Sequence, residues 1–309
     1  MSTSIYAGFQ VVTMTLSALG MATSVFIVAV ACVDWMRKKK LTSCDLILIC
    51  LSSSRFLLQG SMLHSVLFPE MDNWNRLRVH SIVLVMGSTA CLWFAACLSV
   101  FYCIKVATFS QHFFLLMKMR ISGMVPWLLL GSVLVSLISS LPFIWIDHST
   151  YLCNATRSLL KNATTGNPFG SISYSKGFIM YLTWAIIPLL LFLTSSTLLI
   201  TSLWRHTKQM RNSATVFKDA SSEAHVTAIK ALISFLILYI CAFVAEILLG
   251  MPSCKAQSRS KDSICLLVIA ACPLVHSMLL IHLNLRYKLA LGNILLCMTF
   301  QLKKTQNYS

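Results

Sequence analysis

A guanidinium inside an apolar stretch is the first residue that demands a chemical explanation. Arg55 follows Ser52, Ser53 and Ser54 and lies thirteen residues past Thr42, roughly 20 Å along a helix that rises 1.5 Å per residue. A charge at mid-bilayer costs at least about 2.5 to 3.5 kcal/mol. Arg55 is therefore either a polar knot tying the first, second and seventh helices, or a switch whose partners change between two bundle states. Glu246, near one end of a later apolar stretch, either faces water as a lone carboxylate or attracts a cationic ligand. His276 and Ser277 adjoin within the last stretch, where a satisfied interhelical hydrogen bond is the default expectation. Asp45, Lys105 and Lys230 fall within a turn or two of stretch ends and are expected to snorkel to water.

None of these residues builds a reaction centre. No histidine pair at i and i+4 with a carboxylate surrounds His276, so no metal is expected. No nucleophile has a base in evident reach, which argues against a hydrolase, and no cofactor is implied. Most of the twelve cysteines lie in apolar stretches or on the side where thiols stay reduced. Cys153, Cys254 and Cys265 remain as candidates for one bridge.

The elements that must position these side chains follow from composition. Of 309 residues, 57% are hydrophobic and 11% charged, against about a quarter charged in a soluble domain. Seven apolar spans run approximately 9–33, 42–67, 79–107, 121–146, 177–204, 226–249 and 263–285, with a short tail at 286–309. Runs of this length cross a hydrocarbon core, and unpaired backbone is not tolerated there, so they are helices. The expected fold is an all-α membrane protein, a single seven-transmembrane helix bundle over 1–309. The start has no basic region and its apolar run is too long for a signal-peptide core, so the first helix is expected to be kept.

The net charge of +16 would suit nucleic acid or an anionic membrane, and placement decides between them. Sixteen Lys and Arg fall in the first, third and fifth loops, the tail and adjoining helix ends, against eight on the other side. The remaining one is Arg55. The positive-inside rule then puts the N-terminus outside the cell and the C-terminus in the cytoplasm, in contact with membrane lipids and with no nucleic-acid partner. Sequons at Asn154 and Asn162 both fall in the fourth loop, on the outer side of this topology. Trp35, Trp127 and Trp204 near the inner ends and Trp74, Trp145 and Trp184 near the outer ends read as interfacial anchors.

Six segments in order then resemble the bitter taste receptors, or taste receptors type 2. They are Val33-Asp34-Trp35 with Arg37-Lys38-Lys39-Lys40 in the first inner loop, Leu51-Ser52-Ser53-Ser54-Arg55 in helix two, and Leu98-Ser99-Val100-Phe101-Tyr102 with Lys105 and Ala107 in helix three. Pro188 and Leu198 to Met210 in helix five, Ala224 to Tyr239 in helix six, and His276-Ser277-Met278-Leu279-Leu280-Ile281 in helix seven complete the set. Helix three lacks Asp-Arg-Tyr and helix seven lacks Asn-Pro-x-x-Tyr, which makes an ordinary rhodopsin-like receptor a poor match. Helix seven as read here has no lysine for a retinal Schiff base.

The resemblance implies a plasma-membrane receptor that binds small bitter molecules in the extracellular half of its bundle and activates a gustducin-type heterotrimeric G protein. Leu84, Ser88, Trp184, Phe243, Glu246 and Leu267 are the implied ligand contacts, with ordinary helix packing or lipid contact as the alternative for each. Leu84 and Ser88 stand where many members carry tryptophan and asparagine, so a more apolar pocket is expected. Arg55, Tyr239 and Ser277 are the implied activation switch, and Tyr102, Lys105, Arg205, His206, His225 and Lys230 the implied G-protein rim. Ser24 stands near the position of the family's helix-one asparagine, which puts a pairing with Arg55 in doubt. Another seven-helix chemosensory receptor is the runner-up. A transporter would need inverted repeats and broken helices, which are not evident here.

Overall fold

The structure, a computed structural model, describes residues 3–68, 74–106, 112–142, 168–213, 220–250 and 258–306. These form α1 (Thr3–Lys38), α2 (Ser43–Leu67), α3 (Trp74–Val106), α4 (His112–Ser140), α5 (Pro168–Ser213), α6 (Ala220–Gly250), α7 (Ser258–Leu283) and α8 (Leu285–Gln306). Seven of them, α1 to α7, are long and apolar enough to cross a membrane. No strand occurs among the described residues.

Local sequence explains where several helices begin and end. The Thr42 hydroxyl caps α2, accepting from the Asp45 N–H at 3.2 Å and donating to Asp45 Oδ2 at 2.7 Å, which satisfies one of the orphan amides of a first turn. Lys39, at φ 49°, takes the left-handed conformation that closes α1, its N–H donating to the Trp35 carbonyl. Asn284 separates α7 from α8: its own N–H still serves α7, while its side-chain oxygen accepts from the Arg286 N–H at 3.1 Å and starts the next helix.

α1, α3 and α6 each begin before their expected spans, and three further helices shift. The apolar part of α4 spans Leu116–Ser140 rather than beginning near residue 121. α5 overruns its expected span of 177–204 at both ends. α7 starts at Ser258 and takes Lys261 into its opening turns, where it pairs with Asp262 at 3.9 Å. The cause is common to all three: an apolar run measures hydrocarbon thickness, and a helix continues beyond it because its backbone bonds are internal.

α3 packs against α2, α4 and α5; α1 closes on α2 and α7; α6 bridges α5 and α7; and α8 turns back onto α7 and α1. One core cluster joins α1 to α4 with α7 and α8, through Ile27, Leu51, Phe94, Phe101, Val125, Ile281 and Tyr287. Gly20 permits a close α1–α2 approach, since a Cβ there would lie 2.0 Å from Gln59 Oε1. The buried Gln59 amide in turn donates to the Ala270 carbonyl of α7 at 3.2 Å.

The outward faces invert the usual pattern. Leu134, Leu190, Ile237 and Met278 are all exposed, while Ser17, Ser24, Ser136 and Ser139 are buried between helices. Ser17 Oγ has no partner among the described residues, but the other three hydroxyls turn to the backbone or to a neighbouring helix, and Ser99, Ser195 and Ser196 join α3 to α5 at 2.8 Å. Such a surface suits lipid, where small polar residues can pack helices together.

Candidate functional site

Arg55 is 6% exposed, and its Nη1 donates to Ser277 Oγ at 3.1 Å, so α2 is fastened to α7. The helix-one limb of the expected knot is not made: Ser24 Oγ donates instead to the Gly20 carbonyl of its own helix at 2.8 Å. A serine is too short to reach across where a longer amide would. His276 also departs from expectation, because its Nδ1 is buried without a partner among the described residues. Its ring instead lies on Phe235, centroids 4.2 Å apart.

Glu246 is not a lone carboxylate facing water. Ser88 Oγ of α3 donates to its Oε1 at 2.6 Å and Tyr181 OH of α5 to its Oε2 at 2.5 Å. Three helices are thereby clasped by one half-buried acid, and hydrogen bonds to a carboxylate are the strong kind. Phe243 packs with Leu92, Tyr181 and Ala185 beside this clasp. Leu84 belongs to a neighbouring cluster with Leu58, Met62, Ala245 and Ile269. Trp184 and Leu267 are half-buried and make none of the clasp contacts. Four of the six expected ligand residues are thus brought to the clasp or its flanking clusters, and two are not.

Tyr181 escaped the sequence reading, since a tyrosine in an apolar helix carries no sign of its partner. Tyr239 stacks on Phe192 with centroids 4.0 Å apart and donates to the Leu92 carbonyl at 3.5 Å, so it links α6 to both α5 and α3.

Two cavities flank this aromatic layer. A cavity of about 70 Å³ borders Arg55, Ser88, Cys91, Glu246 and His276. A larger one of about 810 Å³ lies at the α8 end, lined by Tyr102, Val106, Leu199, Leu203, Ala231 and Asn284 among others. Ala95, Phe192, Phe235 and His276 line both.

At that end the expected rim is only partly assembled. Tyr102 lines the larger cavity and contacts Cys44 Sγ at 3.3 Å. Lys105 reaches the Lys118 carbonyl at 3.5 Å, while Arg205 and Lys230 are exposed. The side chains of His206 and His225 lie outside the described residues, as do Asn154, Asn162, Cys153, Cys254 and Trp145. Cys265 is buried and is bonded to no other cysteine among the described residues.

Asp45 does not snorkel. It is 9% exposed, and Arg286 Nη1 donates to its Oδ1 at 2.5 Å. Arg286 Nε is ion-paired with Asp34 as well, so one guanidinium fastens α8 to α1 and α2. Burial by itself lowers the Arg286 pKa; the Asp45 hydrogen bond and the charges of Asp45 and Asp34 outweigh it and hold the group above the ordinary arginine value. Tyr287 beside it is fully buried, and burial pushes its pKa up to about 12.

The family model for taste receptor protein (TAS2R) matches residues 1–299. The chain belongs to this family. Taste receptor type 2 member 40 of Gallus gallus is 39% identical over 90% of this chain and 91% of its own length. Member 41 of Pan troglodytes is 35% identical over 96% and 97%, and member 2 of Homo sapiens 31% over 89% and 91%. Squid rhodopsin superposes with a TM-score of 0.61 at 13% identity, covering 95% of this chain and 86% of that one, which shows a shared seven-helix fold. As a taste receptor the chain is a chemosensory G-protein-coupled receptor of the plasma membrane, not an enzyme, and its partners are a small-molecule ligand and a heterotrimeric G protein.

Proposed function

We propose that this receptor detects small, mostly apolar bitter compounds at the Ser88–Glu246 clasp and signals through a gustducin-type G protein seated in the cavity at the α8 end. In this reading the whole chain is one seven-helix domain, the α8 end is cytoplasmic, and the loop with Asn154 and Asn162 is extracellular and glycosylated. The supporting observation is a half-buried acid held by hydroxyls from two other helices. The adjoining 70 Å³ cavity is far below the roughly 300–1,000 Å³ of a ligand pocket. The described state is then closed, and an agonist shifts the equilibrium by preferring a bundle in which the clasp is parted.

From the clasp, α6 runs about two turns back to Tyr239, whose contacts to α3 and α5 would pass the movement towards Arg55, Ser277 and the α8 end. Lys105, Arg205, His206, His225 and Lys230 would then meet the acidic and polar surface of the G protein. A test is calcium release in cells supplied with a promiscuous or gustducin-type G protein and a panel of bitter compounds. Ser88→Trp and Glu246→Ala should each remove or shift responses; a panel unchanged by both would place the ligand elsewhere.

A second reading has one observation in its favour, the ligand-sized volume of about 810 Å³ at the α8 end. If agonists bind there, Leu199→Trp suppresses responses while Ser88→Trp does not.

A further inference from the structure

Among the described residues Arg55 has one hydrogen-bond partner, and it is neutral. Its Nη1 donates to Ser277 Oγ, and its other N–H groups have no hydrogen-bond partner among the described residues. Ion pairs join Lys261 to Asp262 and Arg286 to Asp34 and Asp45, leaving this cation without a carboxylate in pairing distance among the described residues. A guanidinium 6% exposed within an apolar bundle needs compensation, either from an opposite charge or from a polar medium.

What Arg55 does border is the 70 Å³ cavity. That volume exceeds the roughly 10–15 Å³ a single water needs on the same measure. His276 borders the same space from α7. As neutral imidazole it carries one N–H donor, and neither ring nitrogen has a protein partner among the described residues.

We propose that this cavity is a binding site for a small monovalent anion, chloride being the abundant one, held by Arg55 with a second donor from His276. The geometry sets the selectivity. A halide fits beside the guanidinium, whereas an organic anion such as gluconate exceeds the space. Ala95, Phe192, Phe235 and His276 line both this cavity and the 810 Å³ one, so the two are neighbours. Glu246 borders the site too and opposes the anion, but both its oxygens already accept hydroxyl hydrogen bonds from Ser88 and Tyr181. The anion then fixes Arg55 on α2 against α7, so its occupancy favours the bundle arrangement described here.

The site does not depend on where agonists bind, and it is tested without one. Full-length receptor in lipid nanodiscs is melted in mixtures of sodium chloride and sodium gluconate at constant ionic strength. A bound anion raises the melting temperature with chloride concentration, following mass action on the folded state. Arg55→Gln should abolish that rise, and Glu246→Gln, by removing the opposing charge, should move the titration to severalfold lower chloride. Should Arg55→Gln fail to fold, His276→Phe keeps a ring against Phe235 while removing the second donor, and should move the titration to higher chloride. A wild-type melting temperature identical in both salts overturns the proposal. So does a chloride effect that survives Arg55→Gln, or one that neither Glu246→Gln nor His276→Phe moves.

Discussion

Tyr181 of α5 donates its hydroxyl to the Glu246 carboxylate of α6 at 2.5 Å, while Ser88 of α3 holds the other oxygen. A carboxylate shared by three helices sets the distance between them, and any molecule entering the space must first separate the partners. Removing one hydrogen bond to a charged group is worth roughly 1.5–3 kcal/mol. Tyr181→Phe should therefore ease opening and lower the agonist concentration for half response by about tenfold at equal surface expression. A dose–response curve that stays in place or moves to higher concentration would count against a clasp that opposes activation.

Arg55 and Ser277 make a second, separable prediction. Ser277→Ala strips the buried guanidinium of its one protein acceptor, a loss of about 1.5–3 kcal/mol in the described state. Lower thermal stability and a weakened response are expected, with Ser277→Thr restoring both because the hydroxyl returns. Arg55→Ala should abolish agonist-evoked calcium release in receptor that surface labelling still detects. Full responses from Arg55→Ala would remove it from the switch.

The Arg286 bridge predicts a stability effect at the other end. Arg286→Gln leaves Asp34 and Asp45 without their cation, and the Asp45 side chain is 12% exposed. The expected loss is about 2–3 kcal/mol, below the 3–5 kcal/mol of fully buried pairs because Arg286 is 28% exposed. Because the folded-state pKa is raised, the arginine contribution is fully present below the ordinary arginine value and is lost only as pH rises through the raised one. Its effect on melting temperature should therefore be flat between pH 6 and 9, apart from the carboxylates' own titration at acid pH.

Tyr287 titrates in a window of its own. Its hydroxyl is buried with no partner among the described residues, and its pKa is raised from 10 to about 12. The folded state keeps the proton that the unfolded chain releases, so stability is fully present below pH 10 and declines as pH rises towards 12, by roughly 2–3 kcal/mol in all. Tyr287→Phe removes this decline and changes little at pH 7. Melting curves of the two proteins from pH 8 to 11.5 would show it as a difference that grows above pH 10; parallel curves would contradict it.

The fold was legible because lipid imposes a length on every apolar run, and seven such runs leave few architectures. Arg55 stood out for the same reason, as a charge too deep to reach water. The pairings were harder. Nothing local distinguishes Tyr181 from the apolar residues around it, and its bond to Glu246 spans 65 positions. Arg286 read as one more basic residue near the inner face, whereas its role depends on α8 turning back over the ends of α1 and α2, 241 positions from Asp45. Ser24 and Asp45 show the converse: each was placed correctly along its helix, but which side chain it met depended on packing that periodicity does not encode.

The most direct measurement is agonist-evoked calcium release in matched cells with and without a gustducin-type or promiscuous G protein. A ligand-gated receptor gives a signal only where the G protein is present. Ion flux or substrate uptake that persists in cells without it would contradict the account.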